Sequence, residues 1–361
     1  MASRRQFLSG FGGVAFCAAC GMRPAWGQGA APRRKVSVGG RAVRTVDIHC
    51  HCVVPEMMDV LSGTPLEKQA RATINSPTNN PSMKDRLAIM DAQGIDVEAM
   101  SINAFWYGAD RDTSRRLIDL LNQKMAHMCQ QAPDRFVGFG AVALQFPELA
   151  AEQLEAAMKQ HGLKGAAIGG SVNDKELSDP MFDAFWKKAE ELQAVIFMHP
   201  QSAEIVTGID RRVQGNGMLR NVIGNPLETT IALSHMIFEG TFDRFPGLKI
   251  CAAHGGGYLP SYADRSDNGC RTLKQCSGAY PKKAPTEYLK DIYVDSLVFT
   301  PEALRHLAAV VGPRRIMVGT DYGFPWVSNP IDHVLNTPSL TDEDKIAILG
   351  GTAAELLRLQ A

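Results

Sequence analysis

The stretch RTVDIHCH, residues 44–51, decides how the rest of this chain is read. It is a short β-rich run that ends in two histidines one residue apart. Side chains along a strand alternate between two faces, so His49 and His51 point one way and Cys50 and Cys52 the other. Two imidazoles so placed can share one metal ion. Two satisfied core histidines would leave the same trace, so the run needs support from elsewhere.

Working outward, seven similar runs follow: 97–103, 136–144, 165–172, 194–199, 249–254, 292–297 and 315–321. Between them lie stretches with helical periodicity: 82–93, 113–131, 148–161, 180–192, 227–239 and 301–311. Strands alternating with helices predict a parallel sheet. Eight such units in one chain predict a single-domain α/β fold, a (β/α)8 TIM barrel over residues 44–361. No G-x-G-x-x-G follows the first run, which argues against a dinucleotide fold. The polar stretch 62–81 and the Gly/Cys/Lys/Pro-rich stretch 267–285 read as long loops at the barrel mouth.

Three further residues stand where His49 and His51 do. His199 ends the fifth run (VIFMHP, 195–200), His254 the sixth (KICAAH, 249–254) and Asp321 the eighth (IMVGTD, 316–321). Barrel enzymes carry their catalytic groups at the C-terminal ends of strands. Five such side chains on one rim predict a divalent metal site. Asp295 ends the seventh run and reads as a hydrogen-bonding rim residue. His235 reads as helix packing, and His127 and His161 as surface residues. The aromatic clusters Phe105-Trp106-Tyr107 and Phe324-Pro325-Trp326 read equally as pocket wall or as loop packing.

The 361 residues carry 38 Lys+Arg against 38 Asp+Glu and are 45% hydrophobic, which excludes a wholly disordered or collagen-like chain. Zero net charge offers no general attraction to nucleic acid, and no stable membrane anchor is expected. The N-terminus is distinct. Ser3-Arg4-Arg5-Gln6-Phe7-Leu8, a short apolar stretch from Phe11 to Met22 and Ala25-Trp26-Gly27 read in order as a twin-arginine signal peptide over 1–27. This predicts passage through the twin-arginine translocase to the periplasm, with 28–43 as an N-terminal extension. Cleavage removes Arg4, Arg5 and Arg23 from the positives and leaves six of the eight cysteines. Cys270 and Cys276 share one segment and could pair.

On these residues the chain resembles the amidohydrolase superfamily, in the branch of aminocarboxymuconate semialdehyde decarboxylase and related non-oxidative aromatic-acid decarboxylases. The similarity runs from about Val46 to Leu357. It is strongest in NPLETTIALSHMIFEGTFDRFPGLKICAAHGGGYLPSYADR (225–265), followed in family order by VDSLVFTPEALRHL (294–307) and RIMVGTDYGFPW (315–326); PDRFVGFG (133–140) is also shared. The resemblance implies that His49, His51, His199 and Asp321 hold a divalent metal, most often Zn2+, with water completing the shell. It implies that His254 acts on that water as general acid/base and that Arg265 grips a substrate carboxylate. A metal lowers the pKa of bound water, and histidine titrates near neutrality. Arginine offers a carboxylate a planar fork. A homodimer is also implied. Two positions depart from the pattern: an aromatic residue after the His-Pro of the fifth strand is Gln201 here, and a second arginine after the first strand has only Arg71 and Arg86 as candidates.

The function expected is a metal-dependent carboxy-lyase acting on an aromatic or unsaturated carboxylic acid. A hydrolase or hydratase of an ester, lactone, amide or activated C–C bond would use the same residues. A non-catalytic binding protein would need a degraded rim, and all five rim residues are present.

Overall fold

The computed structural model describes residues 33–75, 82–201, 212–273, 276, 278–279, 281–324, 326 and 329–360. The expected export signal, with Arg4 and Arg5, lies outside them. A hairpin opens the described chain: β1 (Val36–Val38) and β2 (Arg41–Val43) turn on Gly39 and Gly40, both at positive φ. Its valines join the outer core, and Arg34 beside it forks onto Asp332 at 2.6 and 3.0 Å.

The strands come next: β3 (Val46–His51), β4 (Val97–Ser101), β5 (Phe136–Gly138), β6 (Gly165–Ile168), the small hairpin β7 (Ser171–Val172) and β8 (Lys175–Glu176), then β9 (Val195–Met198), β10 (Lys249–Ala252), β11 (Tyr293–Asp295) and β12 (Ile316–Met317). One parallel sheet runs β3-β4-β5, the other β12-β11-β10-β9-β6. Parallel bridges Gly140–Ala166 and Asp47–Val318 join them at both edges. Eight parallel strands therefore close into a ring, each inside one of the eight apolar runs.

The helices are α1 (Met58–Leu61), α2 (Glu67–Ile74) and α3 (Met83–Gln93) before β4; α4 (Arg111–Gln131), α5 (Pro147–Lys159) and α6 (Asp183–Leu192); α7 (Asn225–Phe238) and α8 (Thr241–Arg244) after β9; α9 (Leu259–Leu273) and α10 (Pro285–Tyr288) after β10; α11 (Pro301–Val311); and α12 (Pro330–Leu335), α13 (Asp342–Ile346) and α14 (Thr352–Leu356) after β12. Polar side chains start them where the sequence offers caps: Ser82 accepts from the Asp85 amide, Asp110 from Thr113 and Thr300 from Ala303. No described helix is long and apolar enough to cross a membrane.

Alternation along the strands sorts the core into two layers. Inward residues, among them Val46, Ile48, Phe139, Val195, Phe197 and Met317, fill the ring, and Phe139 stacks on Phe197 at 5.7 Å. Ala353, Leu356 and Leu357 join that cluster from the C-terminal helix. Outward residues, Cys50, Cys52 and Met100 among them, pack under the helices.

Two of the expected loops are partly helical. Residues 67–74 form α2, because Glu67 and Arg71 pair one turn apart at 2.7 Å and Ala70 is buried. Residues 267–273 continue α9, whose buried side chains (Leu259, Pro260, Ala263) all lie in its first turns; the rest is solvent-facing and carries no apolar signal. Cys270 in its last turn forms a disulfide with Cys276.

The tightest backbone approach in the ring is Gly165, at φ 151°, where an added Cβ would lie 1.9 Å from the Val195 carbonyl oxygen. Gly165→Ala is expected to cost about 3 kcal/mol or more. Gly162→Ala, at positive φ in open space, is expected to cost only about 1 kcal/mol. Equal losses in denaturant unfolding would refute close approach as the reason for Gly165.

Candidate metal centre

The rim residues converge. His49 and His51 leave β3, where pairing with β4 shifts register between Asp47 and Cys50. That bulge lets Ile48 complete the inner core while both histidines still face inward. His49 Nε2 lies 3.1 Å from His51 Nε2, and Asp321 Oδ1 lies 2.8 Å from His51 Nε2 and 3.2 Å from His49 Nε2. The His199 ring sits 4.7 Å from His51 and 5.0 Å from His49. One donor atom from each of the four lies within 4.8 Å of all the others, and all four residues are buried.

The donor set fits a divalent cation. Three imidazoles and one carboxylate suit zinc and comparable first-row ions. The protonation balance points the same way. Burial and the neighbouring histidines push His199 well below its ordinary value, and burial lowers His51, so both are neutral with lone pairs to give. Burial opposes charge on His49 too, but Asp321 and Asp295 outweigh it and raise the imidazole to about 10. Burial would likewise raise Asp321, yet His49 and the adjoining imidazoles hold it well below the carboxylate range. The cavity therefore demands a positive charge at its centre, which a metal supplies as readily as a proton.

Around the donors stand the residues that aim them. Asp295 Oδ2 accepts from His49 Nδ1 at 2.6 Å, which leaves Nε2 free for a metal, and Ser101 Oγ meets His51 Nδ1 at 3.2 Å. Asp295 also accepts from the backbone amides of His254, Gly255 and Leu297. His254 opens the glycine run at φ 55°, its Nε2 3.6 Å from Asp321 Oδ2 and its Nδ1 buried with no partner among the described residues. Asp321 itself sits at φ 56°. Left-handed backbone at two non-glycine residues of one site is strain that surrounding contacts must hold.

A cavity of about 300 Å3 opens over His199 and Asp321, walled by Phe105 and Phe324 and edged by Gln69, Thr73, Asn103, Gln201, Arg220, Asn221 and Asn225. Phe324 meets the His51 ring edge-on at 5.8 Å. Trp106 is instead a core residue, its indole bonded to the Val142 carbonyl. Gln201 is tied to the Ala104 carbonyl at 3.2 Å. Asn103 Oδ1 is buried with no partner among the described residues.

The sequence-selected arginines lie elsewhere. Arg265 is exposed on α9, in an outer groove with Tyr262, Glu287 and His306. Arg71 is exposed and paired with Glu67. Arg86 is buried against Glu98 and donates to the His51 carbonyl at 2.7 Å, so it braces the strand and does not face the cavity. That ion pair also explains the second acidic cluster, Asp47 with Cys50 and Glu98, as a compensated structural one. Arg220 on the cavity edge was not singled out in the sequence; five residues before Asn225-Pro226 and outside any strand, it carries no motif. His235 lies on the surface of α7, bonded to Glu239, as expected.

A family model described as Amidohydrolase matches residues 46–359. The 2-amino-3-carboxymuconate-6-semialdehyde decarboxylase of Dictyostelium discoideum is 31% identical, covering 91% of this chain and 88% of its own length. The crystal structure of 5-carboxyvanillate decarboxylase from Sphingomonas paucimobilis superposes with TM-score 0.79 at 27% identity, covering 88% of this chain and all of that one. A dihydroxybenzoic acid decarboxylase from Polaromonas sp. JS666, solved with bound manganese and 2-nitroresorcinol, superposes with TM-score 0.73 at 25% identity over 88% and 98% of the two chains.

Behind the cavity, Glu228 accepts from the Gly170 and Gln201 amides, and burial pushes its carboxyl up to about 8. Its folded-state value lies above its unfolded one, so its contribution to stability is complete below the ordinary carboxyl range and is lost as pH rises through about 8. Glu228→Gln keeps an acceptor and cannot ionise. It should gain stability relative to the parent between pH 5 and 9, by at most about 1.4 kcal/mol per pH unit. A constant offset in thermal midpoint across that range would show that the carboxyl is not held neutral.

Proposed function

The chain belongs to the amidohydrolase family, and on that premise we propose that it is a metal-dependent carboxy-lyase for an aromatic or unsaturated carboxylic acid. The observation that carries this reading is the four-donor buried centre with His254 beside it, in a chain whose similar proteins are decarboxylases of such acids. A divalent cation held by His49, His51, His199 and Asp321 supplies Lewis acidity and a centre for negative charge. Zinc is the metal expected, and manganese, present in a similar structure, is its competitor.

The chain's own residues do the rest. Phe105 and Phe324 offer flat apolar walls to an unsaturated ring. Asn103 Oδ1 asks for a donor, so a hydroxyl or amino substituent on the substrate suits it. Arg220 lines the cavity edge and adds positive charge there. Decarboxylation breaks one C–C bond, releases CO2 and puts one proton on the carbon that lost it. No oxidant is consumed. His254, strained toward Asp321 and free at Nδ1, is the group that delivers the proton.

Arg265 serves the cavity of a second copy in a homodimer. Its surroundings support this. Exposed Tyr258 and Tyr262 share α9 and its approach with it, and Tyr258 bonds the Val222 carbonyl of a turn whose Val222 and Ile223 are exposed as well. Exposed apolar side chains at this end of α9 suit a symmetric interface. Export by the twin-arginine route to the periplasm is supported by the order of signal elements over 1–27 and by the Cys270–Cys276 disulfide, a bond favoured in oxidising compartments.

Protein lacking residues 1–27, loaded separately with zinc and manganese, would be incubated with hydroxylated aromatic acids, muconic-type acids, lactones and esters and read by mass spectrometry. Loss of the mass of CO2, with kcat lowered about 10²–10⁴-fold in His254→Ala, is the expected result. A substrate that gains water instead would make the enzyme a hydrolase or hydratase. For the shared site, His254→Ala and Arg265→Ala are each expected to be nearly inactive and, when co-refolded, to recover about a quarter of parental activity through the one intact site of each mixed dimer. No recovery would place Arg265 outside a shared site.

A further inference from the structure

The opposite, N-terminal face of the ring collects positive charge that nothing in the proposed reaction uses. A groove of about 700 Å3 there is lined by six cationic side chains against two carboxylates, Asp96 and Asp134, in a chain with no net charge. Some of these cations are already engaged: Arg33 pairs with Asp96, Arg135 with Asp91 at 2.8 Å, and Arg44 donates to the Gln360 carbonyl. The side chains of Lys35, Lys164 and Arg358 have no hydrogen-bond or ion-pair partner among the described residues. Strand register puts a fourth cation close by, since Gly165 and Lys249 both align with Val195. Lys164 is lowered by burial and then by the charge of Arg358; Lys249 is lowered by the same two causes in the same order, with Glu355 opposing them in part. The chain therefore holds three cations near one another at an electrostatic cost. Arg358 reaches this place from a left-handed backbone, φ 51°, at the end of α14, where glycine would fit with less strain.

We propose that this groove is a binding site for a phosphate-type polyanion, with Lys164 and Arg358 as its base and Lys35 at its rim. A guanidinium fork flanked by ammonium groups matches the oxygens of a phosphoryl group, and the contact to half-buried Lys164 gains most from reduced screening. The site lies at the strand ends away from the metal centre, and it stands or falls independently of the carboxy-lyase reading.

Inorganic pyrophosphate titrated calorimetrically into the metal-loaded protein tests this. Saturable binding that weakens as NaCl is raised is expected. Arg358→Gly, which keeps the turn, and Lys164→Gln should each weaken it about tenfold or more. Lys35→Gln, at an exposed position, guards against misfolding of the other two and should weaken it less. Lys84→Gln, an exposed cation on another helix, should leave it unchanged. No binding, or equal binding by all variants, would overturn the site. Sedimentation with phosphatidylglycerol vesicles without any pyrophosphate binding would also overturn it, by making the face a membrane-docking surface.

Discussion

One buried carboxylate, Asp295, holds the metal centre's geometry. It bonds the His49 ring on β3 and the amides of His254 and Gly255 after β10, while standing itself at the end of β11. One point thus ties β3 of one sheet to the adjacent β10 and β11 of the other. Asp295 is wholly buried, so an unpaired charge there would be costly. The His49 hydrogen bond and charge overcome the burial and keep it ionised. Each partner therefore fixes the other: the carboxylate selects the His49 tautomer, and the imidazole keeps the carboxylate charged.

The same tie explains how the strain is tolerated. His254 and Asp321 both occupy left-handed backbone, and the three glycines after His254 have positive φ as well. Gly257 leaves no room for a side chain, since an added Cβ would lie 2.3 Å from the Pro226 carbonyl oxygen. Asp295 caps the amides that this turn leaves without intrahelical partners. Asp321 is held by its backbone N–H, which donates to the His49 carbonyl at 2.8 Å. The contorted rim is therefore a consequence of bringing the donors from β3 and from the ends of β9 and β12, with His254 after β10, into a space a few ångströms wide.

Most of this was legible from period and position. Strands buried on both faces read as apolar runs, and the metal donors each end one. Cys50 and Cys52 point outward as alternation requires. The bulge at Asp47–Cys50 was invisible, because a register shift leaves no compositional mark. The helix at 67–74 was hidden because its stability comes from an ion pair and one buried alanine, not from an apolar stripe. Arg220 and Asn103 were hidden for a different reason: cavity-edge residues are selected by three-dimensional convergence, and no spacing in the chain records it. Arg86, which looked available, is consumed by Glu98 and a backbone carbonyl.

Position 201 shows how a single departure from the family pattern propagates. Gln201 is buried and bonded to Ala104, and Gly169 makes room for it: a Cβ there would lie 2.7 Å from the Gln201 side chain. Behind it Glu228 accepts the Gln201 and Gly170 amides, and Tyr107 accepts the Gly169 amide at 3.0 Å. An aromatic ring at 201 would meet Gly169 first and would lose the anchor on Ala104. The polar wall is thus fixed from three sides, not a surface that a ligand can rearrange. With Asn103, Asn221 and Asn225 on the same edge, the cavity presents amides where an aromatic wall would present only a flat apolar face. The metal centre below is indifferent to this change, because none of its four donors touches Gln201 through a hydrogen bond. The metal donors and the polar cavity edge therefore rest on separate supports: the first on Asp295 and the strand ends, the second on residues that follow β4, β6 and β9.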